Sequence, residues 1–413
     1  MPRLQKSIYV NSMKIYIQIS IKIIFDTIAI FFIFPATLIS ILYEKKSKKR
    51  VFLGLMSNNN LVYVADSLKK RGYHVQCIPW IIPDHERNVI KYDLDIKSLF
   101  PRMYANFFGQ QLLIYGFFIW SLFNFDIYLM PFRNRLLDRT AYLKWFEFQL
   151  LHFANKIIIL NPYGGDIHNP KVWENSQDKT QKLILKAWAM DSYYSKIKSK
   201  DVERNNRYCE NHADKIIASV EYSDYLNRNN VIYLHMRCAN VQKHPILPPK
   251  KNTIFKIFHA TNHAHLKGVS FLEEAVNKIN KDGQKCSLVI LKNVHNTQVM
   301  NEMGKADIVF DQLLAGAYGR LAIEAMSLGK PVICYLRDDL KALYRPWKEC
   351  PIINANIDNI KDKILYLMKM SAEDRTRIGQ KSLEYVKKYH SPEYVGGILD
   401  GIIQKVTKDD TNR

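Results

Sequence analysis

Three residues in one stretch have the types and the spacing to bind a phosphate-linked ligand. Gly316 and Gly319 lie in a loop after an apolar run, and Glu324 follows five residues after Gly319. Glycines let a loop turn tightly, and backbone N–H groups at the start of a following helix bind anions. A glutamate about one turn into that helix can reach hydroxyl groups beside a bound phosphate. The stretch therefore predicts a site for a phosphate that carries a hydroxylated group.

Nearby cations strengthen the prediction of an anion site. Lys267 ends a polar loop that follows the apolar run 254–259, and Arg320 directly follows Gly319. A lysine at the mouth of a parallel sheet is a natural phosphate partner, and an arginine adds charge-assisted hydrogen bonds. Either side chain can instead face water, so the role of each depends on the fold around it.

The histidines and cysteines do not form a recognisable metal motif. His259, His263 and His265 are close in sequence, but no carboxylate or cysteine completes a ligand set at a known spacing. The six cysteines include no C-x-x-C pair, which is typical of reduced thiols in a cytosolic compartment. The sequence therefore predicts no metal and no other bound cofactor.

The stretch 306–336 has the pattern of a strand, a glycine loop, a helix and a second strand. Leu321, Ala325 and Leu328 share one helical face. Gly329, which precedes a proline, is typical of a helix end. Two strands joined by a helix within about 30 residues form a βαβ unit with parallel strands. Ligands of parallel sheets bind at the carboxyl ends of the strands, where this glycine loop lies.

Alternating strands and helices continue through most of the chain. An apolar run at 51–55 begins another strand–loop–helix–strand pattern, and its loop contains Asn58. Residues 241–252 hold three prolines and three lysines without periodicity, so we predict a linker there. The predicted order is a membrane-associated segment 1–50, a Rossmann-like domain 51–245, a second Rossmann-like domain 246–390, and a C-terminal helix 391–413 that crosses back to the first domain.

A loop in the first domain also places polar groups at a sheet edge. The apolar run 156–160 leads into Gly164, Gly165 and Asp166. A Gly-Gly turn after a buried strand predicts a substrate-facing loop, with Asp166 as the candidate catalytic base. An ordinary turn in which Asp166 caps a helix stays open as the alternative. Asn58 and the two glycines are the predicted acceptor-side residues.

The N-terminal stretch 23–43 is apolar over 21 residues, with Asp26 and Pro35 as its interruptions. A helix of about 20 such residues can cross a bilayer core. Five cations at 44–50 predict a cytoplasmic location for that end. Cations also precede the stretch, so a helix that enters one leaflet without crossing stays open, as does a buried core helix. The aromatic run 107–123 is predicted to be a core helix, with a second membrane contact as the alternative.

The composition is strongly basic, with 60 Lys and Arg, 39 Asp and Glu, and a formal net charge of +21. Such a charge favours polyanionic partners: nucleic acid, an anionic membrane face, or phosphate-bearing substrates. A nucleic-acid binder would explain the charge but neither the glycine loop nor the apolar N-terminus. The predicted partners are therefore an anionic membrane surface and a phosphate-bearing substrate, and no nucleic acid.

These motifs together resemble the C-terminal domain of family-4-like glycosyltransferases of the GT-B fold. The matching elements are Lys267-Gly268, Ala306 to Val309, Asp311-Gln312, Tyr318-Gly319, Glu324-Ala325-Met326 and Gly329 to Val332. The first domain matches more loosely, through 54–60, 164–166 and 213–216. The resemblance covers approximately residues 51–390, and the apolar N-terminus lies outside it.

The resemblance implies an α/β protein in which two Rossmann-like domains face a central cleft. It also implies a nucleotide-diphosphate sugar bound mostly by the second domain. By position, Lys267 would bind the donor diphosphate during catalysis, and Glu324 would hold the ribose hydroxyls. The other donor-binding residues implied by position are Gly316, Tyr318, Gly319, Arg320, His263 and His265.

Two positions depart from the pattern of the family. Many relatives carry a second glutamate eight residues before the first, where this chain has Gly316. Many also carry an arginine shortly before the lysine, where this chain has histidines that can substitute for it. Relatives mostly need no divalent metal, which agrees with the missing ligand set.

The main hypothesis is a retaining glycosyltransferase at the cytoplasmic face of the cell membrane. It would use a nucleotide sugar and a glycolipid or polysaccharide acceptor in the synthesis of a cell-surface glycan such as lipopolysaccharide. One alternative is a nucleotide-sugar epimerase of the same fold. The other is a non-catalytic, membrane-tethered protein that binds a nucleotide sugar.

Overall fold

The structure is a computed structural model, and it describes most of the chain. The described residues are 2–43, 49–54, 59–80, 82, 92–192, 194–227, 229–239 and 254–411, and side chains are not described at 2–14, 59–60 and 409–411. The predicted linker at 241–252 and the predicted acceptor-side residue Asn58 lie outside the described residues.

A first sheet has six strands in the order β2-β1-β3-β4-β5-β6. The strands are β1 (Arg50–Leu53), β2 (His74–Cys77), β3 (Ile127–Met130), β4 (Ile157–Leu160), β5 (Lys215–Ala218) and β6 (Val231–Tyr233). Strand β1 pairs in parallel with β2 and β3, and β4 pairs in parallel with β3 and β5. All residues of β3 and β4 are buried, as expected for apolar strands covered by helices on both faces.

The helices of this part of the chain precede, connect and follow these strands. They are α1 (Pro2–Leu42), α2 (Asn59–Lys69), α3 (Ile96–Leu99), α4 (Pro101–Tyr104), α5 (Phe107–Asn124), α6 (Glu147–Phe153), α7 (Pro170–Asn175), α8 (Lys179–Met190) and α9 (Ser199–His212). A 3-10 turn, Gly164–Asp166, follows β4. The run 107–123 is helical as predicted, with one buried face, and Phe108 and Leu112 are exposed.

A second sheet has five strands in the order β11-β10-β9-β7-β8. The strands are β7 (Phe255–Ala260), β8 (Cys286–Leu291), β9 (Ile308–Phe310), β10 (Val332–Cys334) and β11 (Ile353–Asn354). Its helices are α10 (Ala264–Lys267), α11 (Val269–Lys281), α12 (Asn296–Gly304), α13 (Arg320–Ser327), α14 (Ile360–Lys369) and α15 (Ala372–Tyr389). The last helix of the chain is α16 (Pro392–Thr411). The strand pairs of this sheet are parallel, as the βαβ pattern predicts.

The register of the second sheet places the site-bearing loops on one edge. Strand β9 lies between β7 and β10, with Ile257 opposite Ile308 and Val332 opposite Val309. These strands and the apolar face of α11 share one buried core. The loops that follow β7 and β9 therefore leave the same, carboxyl-terminal edge of the sheet.

Residue contacts divide the chain into two compact units. Unit 1 comprises Met1–Asp166, Asn205–Ile216 and Asp400–Arg413, and unit 2 comprises Ile167–Arg204 and Ile217–Leu399. Residues 167–204 thus cluster with the second sheet, although the sequence placed them in the first domain. Within unit 1, the Tyr73 hydroxyl donates to the Asp400 carboxylate at 2.7 Å. The domain bounds 51–245 and 246–390 stay a prediction.

Candidate functional site

The loops after β7 and β9 in unit 2 bring Lys267 to the start of α13. The Lys267 carbonyl oxygen accepts the Leu313 N–H at 3.1 Å, which ties the two loops together. The Lys267 ammonium nitrogen lies 3.5 Å from the position that a Cβ atom on Gly319 would occupy. Gly319 is the N-cap of α13, so a cation and a helix N-terminus meet at this point.

The N-terminus of α13 has no side-chain cap from its own N-cap residue. The Gly319 N–H itself donates to the Asp311 carboxylate at 2.5 Å. First-turn N–H groups of a helix lack intrahelical acceptors, and together with the helix dipole they favour an anion. Asp311 was not among the predicted site residues. Its place directly after β9, at the carboxyl end of a strand, is the sequence signal that points to it.

Lys267 is partly buried, and its ammonium forms no ion pair or hydrogen bond with the residues that the structure describes. Its charge still affects neighbouring groups. Burial, followed by the Lys267 charge, lowers the pKa of His168 to about 4. Burial also lowers the pKa of His259 to about 4, and Lys267 adds to that effect. Lys267 is therefore a cation with uncommitted donors among neutral histidines, which suits it to an anionic ligand.

Glu324 lies on the first turns of α13 with its carboxylate oriented by two donors. Arg320 Nε donates to Glu324 Oε1 at 2.8 Å, and Asn296 Nδ2 donates to the same oxygen at 3.2 Å. The other oxygen, Oε2, has no partner among the described groups. Arg320 thus holds Glu324 through its Nε, and the phosphate contact that the sequence suggested stays a prediction. Asn296, at the start of α12, was not predicted.

Gly316 has a backbone and surroundings that a side chain would not fit. Its φ is +75°, in the left-handed region that favours glycine. A Cβ atom there would lie 2.5 Å from both Cγ and Cδ of Arg337. Arg337 donates its main-chain N–H to the Gly316 carbonyl oxygen at 2.9 Å, and its guanidinium pairs with Asp224. The position where many relatives of the resembled family carry a glutamate is therefore occupied by the Arg337 side chain.

The Tyr318 side chain lies in the core of unit 2. Its ring is fully buried and stacks on His235 with ring centroids 4.7 Å apart. Its hydroxyl contacts Tyr385 Oη at 3.0 Å and His390 Nε2 at 2.9 Å. Because His390 Nδ1 donates to the Arg237 carbonyl oxygen, Nε2 is the acceptor for the tyrosine hydroxyl. At the predicted donor position, Tyr318 therefore offers a ligand only its backbone.

The neutral state of His390 predicts a pH-dependent stability. Burial lowers the pKa of His390 to about 4, below the 6.5 of an exposed histidine. The unfolded chain therefore binds more protons between pH 6.5 and 4, and the free energy of unfolding falls as the pH falls through that range. We expect His390→Asn to lower the slope of the free energy of unfolding against pH, because the difference in bound protons between the unfolded and folded chains falls by about one. Urea unfolding at a series of pH values measures it, and an unchanged slope would contradict the assignment.

The two predicted donor-binding histidines have different surroundings. His263 Nδ1 lies 2.8 Å from the Asp191 carboxylate, and the His263 ring packs near the Tyr194 ring. His265 is exposed. The Asp191 carboxylate therefore orients the His263 ring, and a role of His263 in donor binding stays a prediction. Asp191 follows a charged helix and gave no sequence signal.

The predicted loop of unit 1 holds a buried carboxylate. Asp166 accepts the Tyr163 N–H at 2.6 Å and the Phe132 N–H at 3.0 Å, so it ties the loops after β3 and β4 together. Burial raises the pKa of Asp166 to about 6 in spite of these donors. Gly164 and Gly165 form the 3-10 turn that positions it. These contacts are structural, and a role for Asp166 as a base stays a prediction.

No group of three or more His, Cys, Asp or Glu side chains in the described part of the chain is arranged to hold a metal ion. The contacts above give the histidines other roles: His259 is buried, and His263 is paired with Asp191. The expectation that no metal takes part is not tested by this arrangement.

Solved structures match the chain, whereas no family model and no curated protein matches its sequence. Sucrose-phosphate synthase from Thermosynechococcus elongatus aligns with a TM-score of 0.54 at 10% identity, over 87% of this chain and 99% of that one. A glycosyltransferase from Rickettsia africae aligns with a TM-score of 0.56 at 14% identity, over 88% and 100%. Anabaena HepE in complex with UDP-glucose aligns with a TM-score of 0.51 at 10% identity, over 86% and 99%.

The chain has the GT-B fold. The fold class predicted from the sequence is thereby confirmed, with two α/β sheets that match those of GT-B glycosyltransferases. Identities of 10 to 14% establish the fold alone. The reaction therefore has to be argued from the residues of the site.

Proposed function

We propose that the protein is a glycosyltransferase that uses a nucleotide-diphosphate sugar. The observation that supports this most is the Lys267 ammonium beside Gly319, at the uncapped start of α13. That arrangement suits a diphosphate. The GT-B fold agrees with it, since one similar structure, Anabaena HepE, holds UDP-glucose.

The charges of the site suit departure of a nucleoside diphosphate. Breaking the bond between the anomeric carbon and the phosphate oxygen leaves negative charge on the diphosphate. Lys267 and the first-turn N–H groups of α13 are preorganised to stabilise that charge. Such stabilisation of developing charge is usually the largest single contribution to catalysis. Asp311 accepts the Gly319 N–H and helps to fix the loop, so these donors do not have to reorganise during the reaction.

Glu324 has the geometry to hold the ribose of the donor. Its Oε1 is fixed by Arg320 and Asn296, and this leaves Oε2 for a hydroxyl donor. Glu324 also lies on the same helix whose N-terminus would hold the phosphates, about one turn along. In a nucleotide, the phosphate and the ribose are separated by a distance similar to one helical turn, so one helix can contact both.

The finer parts of the proposal concern the acceptor, the place and the stereochemistry. We infer a glycolipid or polysaccharide acceptor, a retaining reaction without a metal, and attachment at the cytoplasmic face of the membrane through α1. The basic composition and the apolar N-terminal helix support the membrane and an anionic acceptor. Gly316 leaves no carboxylate at its position, so other groups must select the sugar.

Replacing Glu324 with glutamine tests the nucleotide site. We expect Glu324→Gln to weaken nucleoside-diphosphate binding about tenfold, because a charged acceptor for the ribose hydroxyls becomes neutral. Calorimetric titration with UDP, GDP and ADP measures the affinity. Glu274→Gln is the matched control, since Glu274 is exposed on α11 and pairs with Lys278. Full affinity in Glu324→Gln, or no nucleotide binding by the wild type, would contradict the proposal.

Product analysis separates the three activities that this fold could support. A glycosyltransferase converts donor to nucleoside diphosphate only when a membrane extract supplies an acceptor, and the sugar appears in the lipid or polysaccharide fraction. An epimerase changes the donor when it is incubated alone. A binding protein leaves both donor and acceptor unchanged at any enzyme concentration.

A further inference from the structure

Helix α1 exposes most of its large apolar residues, and the side chains that it buries are mainly small or polar. The fully or nearly buried side chains are Asp26, Ala29, Ile33, Thr37 and Ser40, which follow each other at intervals of three and four residues and so share one face. The opposite face exposes Ile24, Ile28, Phe31, Phe32, Leu38 and Ile39. A helix in a water-soluble core has the reverse distribution. The surroundings that suit the exposed face are therefore apolar.

The buried face of α1 is fixed to unit 1 through Asp26. The Asp26 carboxylate is fully buried, and it accepts the Tyr115 hydroxyl at 2.5 Å. It also accepts the N–H groups of Tyr142 at 2.7 Å and Leu143 at 3.0 Å. A buried carboxylate with three donors is costly to separate from them. The centre of α1 is thus bound to the folded unit and is not available to insert alone.

Contacts with unit 1 continue along the whole apolar length of α1. They are Lys22 Nζ to the Arg139 carbonyl oxygen at 2.7 Å, the Phe34 ring to the Phe153 ring at 6.0 Å, and the Tyr43 ring to the Phe123 ring at 5.6 Å between centroids. From residue 22 to residue 43 a helix extends about 32 Å, roughly the thickness of a bilayer core. If α1 crossed the bilayer, the parts of unit 1 that line it would also lie in lipid.

Other elements extend the exposed apolar face of α1. Phe108 and Leu112 of α5 are 56% and 54% exposed, and Phe153 of α6 is 49% exposed. Phe108 also packs against Phe25 of α1, and Phe153 against Phe34, so these side chains border the helix. We call the surface formed by the exposed side of α1 together with Phe108, Leu112 and Phe153 the apolar face.

Cations lie at one end of the apolar face. Lys22 Nζ donates to the Arg139 carbonyl oxygen at 2.7 Å. The Lys144 and Arg139 charges lie close to Lys22, because burial, followed by the Lys144 charge and that of Arg139, lowers the pKa of Lys22. A row of apolar side chains bordered by lysine and arginine is the pattern of a segment that lies in a membrane interface with anionic headgroups.

We propose that the apolar face enters one leaflet of an anionic bilayer, and that α1 lies along the membrane without crossing it. The occupant is the acyl and headgroup region of the leaflet, with Lys22, Arg139 and Lys144 at the phosphates. The inference concerns unit 1 and can be tested without nucleotide. Its failure would therefore leave the donor site of unit 2 untouched.

Vesicle flotation tests the membrane contact with the full chain. We expect the wild type to float with phosphatidylcholine vesicles that contain phosphatidylglycerol, and Phe31→Glu combined with Phe32→Glu to reduce the bound fraction at least about tenfold. Leu343→Glu combined with Tyr366→Glu is the control, since both side chains are exposed apolar residues of unit 2. Equal loss in both variants, or a soluble dimer that does not float, would overturn the proposal.

Two further measurements distinguish a leaflet contact from a crossing helix. Lys144→Gln should lower binding about fivefold for vesicles with phosphatidylglycerol and leave binding to neutral vesicles unchanged. Epitope tags on the two ends of the chain should both be accessible from the same side of sealed membranes. Tags on opposite sides would show that α1 crosses the bilayer and would overturn the proposal.

Discussion

Replacing Lys267 with methionine is expected to lower turnover of the nucleotide sugar about 10²- to 10³-fold, the usual effect of removing one preorganised group that stabilises developing charge. Methionine keeps much of the length of the side chain and removes the ammonium that lies beside Gly319. The rate of nucleoside-diphosphate release in the presence of a membrane extract measures the effect. The donor for the assay is the nucleotide sugar that raises the melting temperature of the wild type most.

The control for this experiment is a lysine on the surface of the same unit. Lys278 pairs with Glu274 on the exposed side of α11, at 2.6 Å, and has no part in the proposed site. Lys278→Met should retain wild-type turnover. If Lys267→Met also retained it, the ammonium would not act on the diphosphate, and the proposed donor site would have to be abandoned.

The second large effect is expected at Gly379, which packs α15 against the end of α13. A Cβ atom at Gly379 would lie 1.8 Å from the Gly329 carbonyl oxygen and 2.8 Å from its carbonyl carbon. Both are backbone atoms that cannot turn away, so α15 would have to move as a body. We expect Gly379→Ala to lower the free energy of unfolding by about 3 kcal/mol, the upper part of the range for overpacking. Urea denaturation followed by circular dichroism measures the change.

Gly401→Ala is the matched control for Gly379→Ala. Gly401 is an exposed glycine in α16, and a Cβ atom there would meet nothing within 4 Å. Alanine is the better helix former, so this variant should gain up to about 1 kcal/mol. The two glycine-to-alanine changes should therefore act in opposite directions. A neutral Gly379→Ala would mean that α15 and α13 are not packed as closely as described.

Local sequence patterns were sufficient to predict much of the second sheet. The start of α13 after Gly319, its end before Gly329, and the strands on either side follow from glycine placement and apolar periodicity. Such signals depend on neighbouring residues alone, so they can be read without the fold. The fold class was predictable for the same reason, because alternating strands and helices limit the arrangements of a parallel sheet.

The contacts that define the candidate site depend on residues far apart in sequence. Asn296 reaches Glu324, and Arg337 fills the space beside Gly316, yet no local pattern pairs them. Tyr318 shows the converse. Its place next to Gly319 suggested a ligand contact, but the fold turns its ring toward His235 and His390. The place of Tyr318 in the sequence therefore did not reveal that its side chain is buried, and the donor site itself stays a prediction.

The polar residues on one face of α1 can be recognised in the sequence, but the groups that this face contacts cannot. Asp26, Thr37 and Ser40 lie on one helical face, and this spacing is visible without a structure. What could not be read is the partner of that face, because the donors to Asp26 come from the loop at 142–143 and from α5. A single acidic residue in an apolar stretch is compatible with several placements until its partners are known.

The order of synthesis gives this arrangement a further consequence. Asp26 leaves the ribosome well before its partners, which lie 89 to 117 residues later in the chain. Until they emerge, the Asp26 carboxylate lacks these protein donors, so the buried face of α1 has no polar partner at that position. The apolar face, which also includes Phe153, can therefore be complete only after this part of unit 1 has been synthesised and has folded around Asp26.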